Sequence, residues 1–282
     1  GLRPLQALSR AARDLRPKRR AQRLPDEHLP VELRQLADAF NGALVRQEEA
    51  YQQLEAFNAD VAHELRTPLA NMIGGTQVAL ARQRSAAEFQ EALQSNLEEL
   101  ERLRSIVNDM LFLARADQGE AATGVAQAEL AREIELTIEF FEPLLDEHAM
   151  TVAVEGELRA QATMNVALFR RALTNLLQNA IEHSADGARL VVAVTPRADS
   201  TWISVTNPGG TVAAEHLPRL FDRFYRVDSA RHDPGERHGH GLGLAIVRAV
   251  ASMHGGAVSA ASADGVTTVA FSLAAQPAQR PG

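Results

Sequence analysis

The stretch Phe57-Asn58-Ala59-Asp60-Val61-Ala62-His63-Glu64-Leu65-Arg66-Thr67-Pro68-Leu69 carries the first decisive pattern of this 282-residue chain. Phe57, Val61, Leu65 and Leu69 recur every four residues, and with Leu54, Ile73 and Leu80 they draw one apolar stripe along a helix. At roughly 100° per residue, His63 lies two positions from both Val61 and Leu65, so the spacing sets it opposite the stripe, in solvent. Thr67 follows one turn later on the same face. Pro68 lacks an N–H and crowds the carbonyl of residue 64, which predicts a bend beside the histidine. An exposed imidazole next to a carboxylate, here Glu64, can keep one ring nitrogen protonated while the other attacks as a nucleophile. Taken alone, a solvated surface histidine is the commoner reading.

Working outward, Leu93, Leu97, Leu100, Leu103, Val107, Met110 and Ala114 give a second narrow stripe, so residues 51–118 read as two long helices. Ser85, with Glu88 three residues on, caps the second helix. Two such hairpins would complete a four-helix bundle. Upstream, residues 1–50 hold two short helical patterns around a polar connector, the second starting at Pro30 and carrying Leu33, Leu36, Phe40 and Leu44. A helix pair this small buries too little to stand alone and is expected to pair with a second copy. After Gly119 helical segments at about 129–147, 165–184 and 241–253 alternate with β-rich runs at about 150–154, 189–195, 201–206, 257–261 and 266–273. That alternation predicts one mixed sheet faced by helices on one side. The long irregular stretch from Asn207 to His240 has the size of a functional lid.

Bulk composition narrows the chemistry. Cysteine is absent, which excludes disulfide scaffolds, thiol nucleophiles and cysteine metal sites. Lys18 is the only lysine, so no lysine mechanism is open to the C-terminal half. A net charge of −7 disfavours general nucleic-acid binding. No apolar run reaches the roughly 18 residues that cross a bilayer. The first residue is Gly, so the expectation is a fragment lying downstream of a membrane segment rather than a soluble whole.

Four further motifs could carry chemistry. Asn175 and Asn179 share a helix face while Leu173, Leu176, Leu177 and Ala180 turn to the core. Asn is a poor mid-helix residue, so two on one face read either as amides aimed at a magnesium–phosphate group or as solvated side chains. Gly239-His240-Gly241-Leu242-Gly243-Leu244 opens an apolar helix and suits phosphate approach or a plain hinge. It follows no strand and precedes no Lys, so it is neither a Rossmann fingerprint nor a P-loop. Asn207-Pro208-Gly209-Gly210-Thr211 ends a strand and could hold a flat heterocycle or merely turn the chain. Phe221-Asp222-Arg223-Phe224-Tyr225-Arg226 places aromatics as lid anchors and Arg226 as a phosphate contact, or forms a surface cluster. His232, His238 and His240 fit no strong metal spacing.

In this order and spacing, the elements resemble a sensor histidine kinase of two-component signalling over essentially the whole chain. Gly1 to about Arg46 resembles a HAMP relay module, Phe57–Leu69 the H-box and Asn175–Asn179 the N-box. Asn207–Thr211 and Gly239–Ile246 look like the two glycine boxes, and Phe221–Arg226 like the F-box. The resemblance implies an α+β chain: an antiparallel helical hairpin forming a dimeric four-helix bundle, then a Bergerat-type α/β sandwich that binds ATP. It implies domains at 1–50, 51–118 and 119–276, with a tail at 277–282. It makes His63 the phosphoryl acceptor, Glu64 its base and Thr67 the residue orienting water in dephosphorylation. Asn179 would ligate Mg2+; Asn175, His183, Asn207, Gly209, Thr211, Arg226, Gly239, Gly241, Leu242 and Gly243 would line the ATP site. The implied partners are a second copy, a cognate response-regulator receiver domain and, through segments N-terminal to this chain, a membrane; nucleic acid is not among them. The implied location is the cytoplasmic portion of a bacterial inner-membrane protein.

Three positions depart from the family pattern. Asn207 stands where Asp usually binds the adenine amino group, Thr211 where Gly is usual, and Glu182 where a basic residue is common. The Asn-Pro-Gly variant and His216–Asp228 look like the heavy-metal-sensing branch. Rival readings are a regulated phosphatase with little kinase activity, a non-catalytic dimeric scaffold, and a chaperone-like ATPase without phosphohistidine. The last gives no reason for His63-Glu64 on an exposed bundle face.

Overall fold

The computed structural model describes Leu24 and residues 31–157, 159–227 and 241–275. Most of the HAMP-like segment, Gly239, the histidines at 232, 238 and 240, and the tail lie outside the described residues. The chain divides into two compact units, residues 1–70 and 71–282.

Helix α1 runs from Val31 to Leu80 without a break, where the sequence pattern suggests two helices meeting near residue 50. The join holds because residues 45–52, Val-Arg-Gln-Glu-Glu-Ala-Tyr-Gln, contain no Gly or Pro and are mostly good helix formers. The helical assignment also continues through Pro68, whose side chain is buried. Asn41 exchanges two hydrogen bonds with the backbone of Leu24, N–H to Oδ1 at 2.7 Å and Nδ2 to the carbonyl at 3.1 Å.

Helix α2 (Ala86–Asp117) starts with the expected capping box. The Glu88 N–H donates to Ser85 Oγ, and the Glu88 carboxylate accepts from the Ser85 N–H at 2.8 Å. The bonds that Ser85 donates to this carboxylate, from its N–H and, at 3.1 Å, from its hydroxyl, hold the Glu88 carboxyl below its ordinary pKa. Within residues 71–282 the hairpin is antiparallel, with Asn71 donating to Glu99 and Asn96 to Thr76. Leu69, Ile73 and Leu80 of α1, and Leu93, Leu97, Leu100 and Val107 of α2, remain between 44% and 73% exposed, so one copy of the chain does not bury its own stripes.

Beyond the hairpin come β1 (Ala126–Glu129), α3 (Leu130–Glu147), β2 (Thr151–Gly156), β3 (Gln161–Met164), α4 (Val166–Glu182), β4 (Arg189–Pro196) and β5 (Ser200–Pro208). A short 3-10 turn (Leu217–Arg219), α5 (Gly243–Met253), β6 (Val258–Ala263) and β7 (Val266–Ala274) complete the described elements. The five-stranded sheet has the order β2-β4-β5-β7-β6, with β2 and β4 parallel and the other pairs antiparallel. Mixed pairing follows because β2 reaches β4 through a helix, whereas the later strands are joined as hairpins or by long returns. Leu190, Val192 and Val194 of β4 and Ile203 and Val205 of β5 alternate inward. They form a core with Phe169, Leu173, Leu176 and Leu177 of α4 and Phe271 of β7, the Phe169 and Phe271 rings standing 5.9 Å apart. The antiparallel pair β1–β3 escapes the sequence reading, because four-residue strands without β-branched alternation carry no period-2 signal.

One polar cluster, half-buried at Asn165 and buried at His254, ties the start of α4 to the end of α5. Asn165 caps α4 through Oδ1 to the Leu168 N–H at 3.0 Å, and its Nδ2 donates to the Thr123 carbonyl at 2.7 Å. Its own N–H donates to His254 Nε2 at 3.0 Å, while His254 Nδ1 lies 2.8 Å from the Val250 carbonyl. Nε2 must therefore accept and Nδ1 donate, which requires a neutral ring. Burial at 1% exposure lowers the His254 pKa below its ordinary 6.5, the Val250 carbonyl opposing weakly. A depressed histidine pKa leaves its stabilisation intact above the unfolded value and removes it as pH falls. Urea unfolding should thus show stability dropping as pH is lowered through and below about 6.5. His254→Phe should cost about 1–3 kcal/mol at pH 7.5 by stranding the Asn165 N–H, and should flatten that pH dependence.

Candidate functional site

His63 is exposed on α1, as the stripe geometry requires, with Thr67 exposed one turn on and Glu64 half-buried. Asp60 precedes His63 by one turn, also half-buried. Its carboxyl is raised above the ordinary value by burial first and by the Glu64 charge second, with His63 pulling the other way. The imidazole thus has one acid a turn before it on the helix and another next to it in sequence, about 100° round the axis.

In residues 71–282 an open cleft of about 1190 Å³ gathers most of the other expected residues: Asn175, Asn179, His183, Asn207, Thr211, Arg226, Gly241, Leu242 and Gly243 all line it. Gly209 adjoins it, while Gly239 lies outside the described residues. The wall from α4 arises because the apolar set Leu173, Leu176, Leu177 and Ala180 is buried, leaving Asn175 and Asn179 on the opposite side. Asn175 Nδ2 donates back to the Arg171 carbonyl at 2.8 Å. Its Oδ1 is so near α5 that a Cβ on Gly243 would come within 2.7 Å of it. Asn179 makes no side-chain hydrogen bond among the described residues.

The second wall is the start of α5. Its N-cap residue Leu242 is 1% exposed and supplies no side-chain cap, and among the described residues no side chain caps the first-turn N–H groups, which suit an anion. Leu242 therefore serves the cleft through its backbone. Gly241 sits at φ +68°, and a Cβ there would lie 2.8 Å from Phe224 Cα. Phe224, itself at φ +59°, donates its N–H to the Gly241 carbonyl at 2.8 Å. Phe221 is buried, Tyr225 meets His216 Nδ1 at 2.6 Å, and Arg219 stacks 4.2 Å over the Tyr225 ring. The aromatics do anchor this segment, and Arg226 beside them is exposed at the cleft.

The closed end is built at the C-terminus of β5. Asn207 is 5% exposed, and a Cβ on Gly209 would come within 2.4 Å of the His183 carbonyl. Thr211, at the position where Gly is usual, accepts the Gly265 N–H through Oγ1 at 3.0 Å, and the Gly265 carbonyl accepts from Gly209 at 2.7 Å. The hydroxyl thus braces the loop against the β6–β7 turn. Glu182 is engaged by Gln178 at 2.9 Å.

Several residues around the cleft were not singled out from sequence. Arg171 pairs with Asp109 of α2 at 2.6 Å and lies 4.1 Å over the Phe112 ring; Arg223 pairs with Asp117 at 2.6 Å. Ser95, Glu98 and Ser105 of α2 also border the cleft. Their only sequence signal was polar residues on the face of α2 away from its stripe. Among the described residues no cluster of acidic or histidine side chains could hold a metal by itself, and no helix is long and apolar enough to cross a membrane.

Three family patterns match in sequence. Residues 2–49 match the PhoQ-like sensor HAMP domain, 53–119 the His Kinase A (phospho-acceptor) domain, and 164–277 the histidine kinase-, DNA gyrase B- and HSP90-like ATPase. The chain is similar to the sensor histidine kinase CusS of Escherichia coli K12, 40% identical over 92% of this chain and 53% of the relative. It is 39% identical to the sensor protein CzcS of Cupriavidus metallidurans over 86% of this chain and 51% of that one. The chain therefore spans about half the length of the curated relatives it matches. In fold it is similar to the crystal structure of histidine kinase ThkA in complex with the response regulator TrrA, at a TM-score of 0.65 and 20% identity, covering 82% of this chain and 65% of that one. Three matches in consecutive order over residues 2–277, together with the similarity to CusS and CzcS, make the chain a member of the sensor histidine kinase family.

Proposed function

We propose that this chain transfers the γ-phosphoryl group of ATP to His63 and passes it to an aspartate of a response-regulator receiver domain. The observation that carries the reading is the exposed His63 imidazole with Glu64 beside it and Asp60 one turn away. Glu64 orients the ring by accepting from one nitrogen, leaving the lone pair of the other for phosphorus, and it takes up the proton as the new bond forms. In-line transfer of this kind depends chiefly on positioning and charge neutralisation.

The cleft fits ATP with Mg2+. Asn207 meets the base, Gly209 lets the backbone approach it, and Gly241, Gly243 and the open first turn of α5 face the phosphates. Arg226 adds positive charge at the exposed side. Asn179, with its amide uncommitted, is the ligand for Mg2+, the phosphates supplying further oxygens. When bound, the magnesium nucleotide supplies the phosphoryl group and the leaving diphosphate. Thr67 orients water for dephosphorylation of the regulator, so both activities share one helix face.

The partners in this reading are a second copy, which covers the exposed stripes of α1 and α2 as a four-helix bundle, and the receiver domain. Residues 1–50 relay, 51–118 dimerise and accept the phosphoryl group, 119–276 bind ATP, and 277–282 form a tail. Similarity to CusS and CzcS supports the heavy-metal-sensing branch and a place as the cytoplasmic portion of a bacterial inner-membrane protein.

His63→Gln should abolish radiolabel incorporation from γ-labelled ATP while nucleotide affinity by calorimetry stays unchanged; labelling of that variant would remove His63 as acceptor. Thr67→Ala should lose most regulator dephosphorylation and keep autophosphorylation. Gly243→Ala, whose methyl would meet Asn175 Oδ1 at 2.7 Å, should weaken ATP binding about tenfold, equal to about 1.4 kcal/mol.

A further inference from the structure

Arg171 stands at one end of a row. Arg171, Asn175 and Asn179 follow at four-residue steps on the face of α4 that lines the cleft, and Arg171 is the one cation that α4 brings to that lining among the described residues. The other end of the row is the closed end of the cleft, where Asn207 Nδ2 lies 3.5 Å from the His183 carbonyl. At 1.5 Å per residue, Arg171 starts about 12 Å along the axis from Asn179 and about 18 Å from His183. A nucleotide with its base at Asn207 and its phosphates passing Gly243, beside Asn175, therefore points its last phosphate toward Arg171.

In this structure the guanidinium is engaged by α2 instead. Arg171 Nη2 donates to Asp109 Oδ1 at 2.6 Å, and the group lies 4.1 Å over the Phe112 ring. Asp109 itself lines the cleft, as do Glu98, Glu99 and Glu101 of the same helix. The pair is not sealed: the Arg171 and Asp109 side chains are 31% and 22% exposed, so a competing anion can reach the guanidinium. A phosphate is the stronger competitor, because it can take the planar fork on two parallel bonds and carries more charge than a carboxylate.

From this we infer that Arg171 is a shared cation: Asp109 and Phe112 hold it as seen here, and it turns to the terminal phosphate of a bound nucleoside triphosphate, telling a triphosphate from a diphosphate. The inference rests on the reading of the cleft as a nucleotide site and deepens it. A diphosphate ends short of Arg171 and leaves the pair with Asp109 intact. A triphosphate draws the guanidinium off α2, so the ligand and the helix compete for one side chain. A plain strut between α2 and α4 behaves differently, since losing either partner of a strut acts in the same direction. A shared cation gives opposite signs: removing Arg171 deprives the phosphate of its partner, whereas removing the Asp109 charge releases Arg171 to it.

The test is calorimetric titration of the whole chain, in excess Mg2+, with ADP and with the non-hydrolysable β,γ-imido analogue of ATP, each variant being checked for folding by thermal unfolding. Arg171→Ala should bind the triphosphate analogue about tenfold more weakly and ADP within about twofold of the parent. Asp109→Asn should bind the analogue several-fold more tightly and leave ADP nearly unchanged. Phe112→Leu, which removes the ring beneath the guanidinium and keeps an apolar side chain, should shift affinities in the direction of Asp109→Asn. Shifts of the same sign in Arg171→Ala and Asp109→Asn, or equal weakening of both nucleotides by Arg171→Ala, would overturn the sharing. Should Arg171→Ala fail to fold, an unmoved triphosphate-to-diphosphate ratio in both Asp109→Asn and Phe112→Leu would overturn it equally, with the nucleotide site left standing. A parent chain that binds neither nucleotide would remove the site itself and the sharing with it.

Discussion

The closeness of α5 to α4 is the constraint on which the ATP-binding half depends. Residue 243 has no side chain, so the first turn of α5 can meet Asn175 at van der Waals range. Were it wider, the amide wall of α4 and the open N–H groups of α5 would face separate pools of solvent instead of one cleft. The far ends of the two helices are held by the same logic in polar form, with Asn165 at the start of α4 bonded to His254 at the end of α5. A backbone contact at one end and a neutral imidazole at the other fix the spacing between them. Neither tolerates much change, since one is set by the missing Cβ and the other by a single tautomer.

Across the hairpin boundary, α2 is not a passive neighbour of the ATP-binding half. Ile106 and Leu113 are fully buried, and Asp109 and Asp117 pair with Arg171 and Arg223. With Lys18 the only lysine of the chain, both basic partners here are arginines. Arg171 pairs with a carboxylate and stacks on Phe112 at once, which a planar guanidinium does and an ammonium does poorly. These pairs are partly exposed, so salt weakens them more than it weakens the apolar contact beneath.

Much of this was legible in the residues. The exposed side of His63 followed from two neighbouring stripe residues, the Ser85 cap from a three-residue spacing, and the cleft-facing amides from the burial of Leu173 and Leu176. The five strands of the main sheet appeared with ends shifted by one or two residues. What stayed hidden was long-range or short of pattern. Nothing local marks Asn165 and His254 as partners 89 residues apart. The β1–β3 pair is too brief to show periodicity, and the bracing role of Thr211 depends on a turn more than fifty residues away. The unbroken run through residue 50 was missed for a different reason: polar residues without a stripe look like a connector, yet their helix propensity suffices once both flanks are helical.

That unbroken run has a mechanical meaning. From Val31 to His63 the backbone is one α-helical rod about 48 Å long, at 1.5 Å per residue. Such a rod resists stretching and twisting far better than a jointed linker of equal length. Torque applied at its upstream end would swing the imidazole around the axis by nearly the same angle, like a pointer on a shaft. A glycine pair inserted near residue 50 would act as a universal joint, uncoupling pointer from shaft without touching a single reacting atom.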